Sequence, residues 1–392
     1  MCYKDLYNNF MSGESDILII GGGVIGLTTA YFLAREGIRV TVVDKGDLGQ
    51  ESSWAGAGIL PGGNPKRAHT PLGQLRARSV SLFPELSAEL RERTGIDNGY
   101  VCSGGLELRR SADALEKQRL DSLVREERGE GTNCEVLDAR ALHELEPAVA
   151  ESLPGAVYFP EMAQVRNPRH VKALIAACAQ LGVRLLTETP VYALEQAGVR
   201  IQAVRTPAGS IRAERFVIAA GSWSDMLLEL VGWRVHIRPI RGQIALLNLV
   251  PPIFKRILMA GSQYLVPRPD GRVLVGSTEE NVGFDKRTTA AAIQELLGFA
   301  LQLVPGLAQA HVERAWAGLR PGSPDGRPFL GPVPGFDNLF LAAGHFRSGI
   351  QLSPGTALVM KQLLLGELTD VPLDPFRLDR ATSTRHETPF RS

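Results

Sequence analysis

The clearest pattern in the chain lies near its start. The apolar run DILII (Asp16–Ile20) is followed by the glycine turn GGGVIG, then by LTTAYFLAREGI with helical spacing of its apolar positions, then by VTVVD. This order predicts a buried strand, a tight turn, an amphipathic helix and a second strand, which together make a βαβ unit. Further on, VKALIAACAQLGV has helical spacing and runs into the strand-like RLLTE, while RFVIAAG reads as another buried strand ending in glycine. These segments extend one mostly parallel sheet. Between Ile237 and Gly276 the texture changes to short alternating runs, QIALLNLV, QYLVPR and RVLVGST, broken by Pro and Gly. Such runs predict a separate antiparallel sheet. The segment Ser111–Glu146 is rich in charge and in helix formers and is expected as a surface helical region of the second lobe. After Trp316 strand and turn signals return, and NLFLAAG leads into a helix over roughly Pro354–Leu365.

The expected class is therefore α/β with an α+β second lobe. The first lobe is discontinuous, over 15–88, 157–230 and 316–372, and the second occupies 89–156 and 231–315. Length agrees, since 392 residues exceed the roughly 100–200 of a usual domain. No internal repeat or low-complexity segment interrupts the pattern.

Composition narrows the chemistry mainly by exclusion. Lys plus Arg number 43 against 42 Asp plus Glu, and a net charge of +1 builds no field that favours nucleic acid or an anionic membrane. A small substrate is expected instead. The cysteines Cys2, Cys102, Cys134 and Cys178 show neither metal-ligand spacing nor a disulfide framework, which fits a reducing cytoplasm. The first 15 residues lack the apolar core of a signal peptide and read as a frayed tail. The apolar stretches fall short of the roughly 20 residues needed to cross a bilayer, so no membrane span is expected.

Gly21, Gly23 and Gly26 stand at the GxGxxG spacing between the first strand and its helix, with Val24 and Ile25 between the second and third glycines. The first glycine permits the turn, the second lets the backbone approach a pyrophosphate, and the third lets the helix pack closely. The helix N-terminus offers free amides and a positive dipole end to phosphate. Asp44, at the end of the second strand, is placed to accept from a ribose hydroxyl, and an acid there disfavours a 2′-phosphate. These features indicate a dinucleotide without saying which. Two others favour FAD over NAD. Just past Asp44 and Lys45, ESSWAGAGIL offers Ser52 and Ser53 as donors, and Ala57, Gly58 and Ile59 end a run of small residues that a long cofactor could follow. Some 300 residues later, LFLAAGHFRSGIQLSPG repeats the strand, glycine turn and helix start, over Gly344, His345, Phe346, Arg347, Ser348, Gly349, Ile350 and Gln351. A helix N-terminus at the N1 and O2 side of a flavin would stabilise its reduced, anionic form.

Taken together, GGGVIG, the SSxxAGAG loop, RGQ at Arg241–Gln243, YLVPR, WAGLRPGSPDGRPFLG and AAGHFRSGI resemble the glycine oxidase branch of the D-amino acid oxidase superfamily over nearly the whole chain. The resemblance implies a FAD-binding, Rossmann-like domain of glutathione-reductase type, joined to a smaller antiparallel-sheet substrate domain. By motif it implies Arg320 as carboxylate clamp, Arg347 as a second substrate-side arginine and Tyr264 beside the substrate. It also implies FAD contacts along the stretches just named and at Val191. The Arg320 role has independent physical support, because a planar guanidinium binds a carboxylate bidentately. No cysteine follows Cys178, so attachment through a C-terminal cysteine is ruled out and FAD is expected to be non-covalent. Glu279 and Glu280, after GST, stand where an uncharged residue is expected, and either would bias the site toward an ammonium if it faced the substrate.

The reaction implied is oxidative deamination of glycine, sarcosine or small D-amino acids, with oxygen as acceptor and no dedicated acid or base residue. The resemblance further implies a part in thiamine thiazole biosynthesis and a homotetramer. Three other readings stay open at this point. They are a flavin dehydrogenase passing electrons to a quinone or acceptor protein, a non-catalytic FAD-binding subunit, and an NAD-linked dehydrogenase.

Overall fold

A computed structural model describes residues 15–380 of the chain. The first strand, Ser15–Ile20, is buried almost throughout because it lies inside a sheet covered on both faces. It pairs in parallel with Val40–Val43 on one side and with Gly209–Ile218 on the other; Arg184–Leu186 and Leu339–Ala343 extend the parallel part. The parallel heart of the eight-stranded sheet matches the sequence reading. Its margins do not, since Ala193–Ala197, Arg200–Thr206 and the first half of Gly209–Ile218 form an antiparallel meander, and Phe329–Pro332 pairs antiparallel with Leu339–Ala343. The meander alternates polar and apolar residues because one of its faces meets solvent.

Helices Val24–Arg35, Pro71–Thr94, Asn167–Gln180 and Gly349–Leu365 cover one face of this sheet and share one core with Leu33, Phe83, Leu174 and Met360 at its centre. Val24–Arg35 is buried from Val24 to Ala34, since the last helix lies against it as well as the sheet. That last helix begins at Gly349, five residues before the expected start at Pro354. As the sixth residue of the helix Pro354 withholds an N–H from the Ile350 carbonyl, and the Ser353 hydroxyl donates to that carbonyl instead at 2.9 Å.

The second sheet also has eight strands, in the order His311–Gly322, Arg238–Asn248, Arg272–Gly276, Gln263–Pro267, Ile257–Ala260, Gly105–Arg109, Gly155–Phe159 and Glu135–Asp138. All neighbours are antiparallel except Ile257–Ala260 with Gly105–Arg109. Strand Gly155–Phe159 runs through the expected boundary at 157 and strand His311–Gly322 through that at 316, while helix Pro71–Thr94 runs through that at 88. The reason is register. His311–Gly322 pairs with Arg238–Asn248 along its length, from Arg238↔Gly322 to Asn248↔His311, and texture along the chain does not reveal such pairing. The segment Ser111–Glu146 is helical over Ala114–Gly129 and Ala139–Leu145, and between these it supplies the edge strand Glu135–Asp138.

Among the described residues no helix is long and apolar enough to cross a membrane, and no side-chain cluster suits a metal ion. Cys102, Cys134 and Cys178 are free thiols; Cys2 and residues 1–14 of the expected 15-residue tail lie outside the described residues, while Ser15, its last residue, opens the first strand.

Candidate active site

A cavity of about 740 Å³ opens at the carboxyl ends of the parallel strands and reaches the inner face of the second sheet. Its first wall is the glycine turn. Gly21 has φ +117°, and a Cβ on it would lie 2.4 Å from the Ala219 carbonyl oxygen, so no other residue fits. Gly23, Val24 and Ile25 line the wall. Gly26 does not; a Cβ there would come 2.0 Å from the Gly21 carbonyl, so its part is to let the helix sit on the turn. Asp44 accepts from the Gly22 amide at 2.7 Å and the Gly46 amide at 3.0 Å, and burial pushes its carboxyl above the usual carboxylate range. Beyond it, Lys45 sets its Nζ 3.3 Å from the centre of the Trp223 ring, and Val191 closes this end.

The middle of the cavity follows the small-residue loop. Ser52–Ala55 forms a single helical turn, the Ser53 Oγ accepts from the Val24 amide at 2.9 Å, and Asn167 Nδ2 donates to the Ser53 carbonyl at 2.9 Å. Gly58 has φ +72° and a Cβ there would meet the Val165 carbonyl at 2.1 Å. Ala57, Gly58 and Ile59 all line the wall. Behind them lies Arg268, buried, donating to the Ala57 carbonyl at 2.8 Å and to Gln164 Oε1 at 2.5 Å. No carboxylate pairs with it among the described residues, and burial lowers its pKa to about 10. The second glycine turn closes the cavity from the far side. Gly344, at φ +81°, shapes the turn without reaching the wall, whereas His345 to Gln351 line it. His345 Nε2 and Thr356 Oγ1 share a hydrogen bond at 3.0 Å, and burial drives the imidazole pKa down to about 3, so the ring is neutral.

The residues present fit FAD. Helices Val24–Arg35 and Gly349–Leu365, which start at this cavity, have no cap from their own N-cap residues and no acid in the first turn, and of their amides Val24 N–H is taken by the Ser53 hydroxyl. By contrast, helices Pro71–Thr94, Ala114–Gly129 and Ala290–Leu303 are capped by Thr70, Asp113 and Thr289. N-termini of this kind on two walls of one elongated cavity offer amide donors to an anion, as a phosphate-bearing cofactor requires. None of Cys102, Cys134 and Cys178 lines the cavity.

The last wall belongs to the second sheet. Tyr264 and Gly276 are cross-strand partners, and a Cβ on Gly276 would lie 2.7 Å from the Tyr264 ring, so the glycine makes room for the phenol. Gly242 serves Arg320 in the same way; a Cβ there would lie 2.3 Å from Nη2. The Arg320 guanidinium donates to the Thr278 carbonyl at 3.0 Å and to the Ser277 hydroxyl, and meets the Tyr264 hydroxyl. Burial depresses its pKa, and no carboxylate neutralises it among the described residues. The Ser52 hydroxyl donates to the carbonyl of adjacent Leu319, which ties the cofactor loop to the strand bearing Arg320.

Arg347 also lines the cavity and burial lowers its pKa too, but its Nη2 forms an ion pair with Glu279, so its charge is already met, while its buried Nε has no hydrogen-bond partner. Glu280 faces away, bound to Arg241 at 2.5 Å, Gln243 at 2.7 Å and Thr278 at 2.6 Å. Of the two acids in question, Glu279 reaches the site through Arg347 and Glu280 belongs to a network on the other face.

Several wall residues went unseen in the sequence. Ala219 to Trp223 follow a buried strand ending in glycine, a signal that was visible and carried no assignment. Arg268 ends the YLVPR motif, yet nothing in the motif says that its guanidinium turns back behind Ala57. Glu107, in GLELR between two buried leucines, has the alternation of an ordinary half-exposed strand but is itself buried on the cavity wall.

The sequence matches the family described as FAD dependent oxidoreductase (DAO) over residues 16–363. It is 37% identical over 356 residues to a glycine oxidase of Pseudomonas putida, covering 90% of this chain and 95% of that protein. It is 36% identical to the bifunctional protein ThiO/ThiG of Nostoc sp., covering 96% of this chain and 56% of that longer protein. The fold superposes on the crystal structure of glycine oxidase from Geobacillus kaustophilus with a TM-score of 0.89, at 36% identity and over 94% and 99% of the two chains.

Proposed function

The chain belongs to the FAD dependent oxidoreductase (DAO) family, and from that premise we propose that it oxidises glycine and other small amines, sarcosine and small D-amino acids among them. The balanced reaction for glycine is glycine + O2 + H2O → glyoxylate + NH3 + H2O2. The observation that carries the reading is the Arg320 guanidinium, half-buried and largely desolvated at the cavity wall, held by Ser277, Thr278 and Tyr264, and without a counter-ion among the described residues. A buried cation without a partner is costly, and a substrate carboxylate would relieve that cost.

When bound, FAD supplies the two-electron acceptor for the substrate hydride and passes the pair to oxygen. The protein's work is then positional. Arg320 fixes the carboxylate through two parallel N–H donors, Tyr264 borders it from the neighbouring strand, and the amine and α-carbon are left over the cofactor loop. Neutral His345 and ion-paired Arg347 add no free charge beside the amine. The substrate loses its proton before oxidation without any dedicated base, in keeping with a wall that presents no free histidine–carboxylate pair.

The glycine oxidase and ThiO/ThiG relatives support a role in thiamine thiazole formation, where the imine product is the useful one. The reading includes non-covalent FAD, which acid precipitation would release into the supernatant. It also includes a cytoplasmic homotetramer by family resemblance, for which sedimentation at working concentration gives the mass. The deciding experiment is anaerobic titration of the flavin-loaded protein with glycine, sarcosine and D-alanine, followed by air. Bleaching of the oxidised flavin band and its return with peroxide are expected. Bleaching without return would move the protein to acceptor-linked dehydrogenases, and no bleaching would overturn the amine reading.

A further inference from the structure

The row of side chains that carries Tyr264 continues past it. In register, Tyr264 stands opposite Met259 and Met259 opposite Glu107. Cross-strand partners share a face, so all three point the same way, and all three line the cavity. Two strand spacings place Glu107 about 10 Å beyond Tyr264. Glycine held by its carboxylate at Arg320 does not reach that far.

Glu107 is 5% exposed. Its Oε1 accepts from Arg119 at 2.8 Å and from the Gly261 amide at 2.9 Å, while its Oε2 has no hydrogen-bond partner among the described residues. Arg119 is shared with Glu116, to which it donates at 3.0 Å, so two carboxylates divide one guanidinium and the trio keeps a net negative charge. Arg76, the other cation on this wall, is taken up by Glu127 at 3.1 Å. Burial raises the Glu107 carboxyl above the usual carboxylate range, so positive charge is in demand there. The cavity is thus bipolar, with an unneutralised cation at Arg320, an under-neutralised carboxylate at Glu107 and Met259 between them. Methionine's flexible thioether adapts to a hydrocarbon spacer.

We propose that this site takes α-amino acids bearing a second, distal ammonium group, with the carboxylate on Arg320, the spacer along Met259 and the ammonium donating to Glu107 Oε2. The inference rests on the amine-oxidase reading and names its substrate class. An ammonium brings three donors and a full charge to an acceptor that already lacks both. A hydrocarbon group of equal size brings neither, and it leaves the carboxylate desolvated and unmet.

The test compares isosteric pairs on the flavin-loaded enzyme by steady-state oxygen uptake. D-Ornithine against D-norleucine places the ammonium on the carbon side chain; N-(2-aminoethyl)glycine against N-propylglycine places it on the amine, with glycine as reference. In at least one pair the ammonium compound should exceed its hydrocarbon isostere in kcat/KM by tenfold or more. Glu107→Gln should shrink that preference by at least tenfold in the same pair. Equal or better turnover of the hydrocarbon isostere in both pairs overturns the proposal even where glycine is oxidised normally, and so does a preference that survives Glu107→Gln. If Glu107→Gln does not fold, the wild-type pairs decide alone. Oxidation of none of the five compounds removes the amine-oxidase reading, and this proposal falls with it.

Discussion

Arg241 and Arg320 sit on adjacent paired strands, yet on opposite faces, since Arg241 pairs in register with Leu319 and Arg320 with Ile240. Both lie in the protein interior, but their surroundings differ sharply. Arg241 is 5% exposed and answered by Glu280 at 2.5 Å and Asp285 at 3.2 Å, with Gln243 and Thr278 completing the carboxylate's bonds. Arg320 has only neutral partners. A buried cation that holds a fold together brings its counter-ion with it, whereas one that receives a ligand leaves the counter-ion to be supplied from outside. Arg347 lies between these cases, on the cavity but paired with Glu279.

That contrast is breakable at four points. Arg320→Ala should cost about 3–5 kcal/mol in transition-state binding, through the loss of two charge-assisted hydrogen bonds, and leave the melting temperature little changed. A fall in kcat/KM below about fivefold would remove Arg320 from the substrate. Arg241→Ala should do the reverse. It strands Glu280 and should lower stability by about 3 kcal/mol in denaturant titration, with a smaller effect on kcat/KM than Arg320→Ala. If Arg241→Ala damaged turnover more than folding, the two faces would not be distinct in function.

Gly242→Ala probes the space rather than the charge. The new methyl would overlap the Arg320 guanidinium, and displacing it should cost about 2 kcal/mol in kcat/KM, most of it in KM for the carboxylate substrate. A variant with unchanged KM would show that the guanidinium need not lie over the strand. Smallest is Glu279→Gln, which frees Arg347 beside the site and should tighten carboxylate binding by about 1 kcal/mol or less, seen as a lower KM for glycine. A raised KM would mean that Glu279 itself meets the substrate.

The nucleotide-binding half was legible because its chemistry is local. Gly21 and Gly26 are required by close backbone approach within one turn, and Asp44 follows from where the next strand ends, so spacing along the chain carries the information. Motif resemblance extended this to Arg320, Tyr264 and the second glycine turn. It did not show that Arg347 is already neutralised, because the partner at Glu279 comes from a different part of the chain. The lobe boundaries were misplaced where strands run on through a change of texture, as His311–Gly322 does at 316.

The sequence by itself determined the class of fold, the glycine turn after the first strand, the likeness to a flavin amine oxidase family and the arginine, Arg320, proposed to bind the substrate carboxylate. These follow from short-range sterics and hydrogen bonding, in which neighbours in sequence are neighbours in space. Only the tertiary structure decided how each interior charge is answered: Arg241 by two carboxylates and Arg320 by none among the described residues, Glu280 by Arg241 and Glu107 by an arginine it shares with Glu116. Whether a charge has a counter-ion depends on strand register and on the face to which a side chain points, and a one-residue shift of register reverses that face without altering a letter of the sequence.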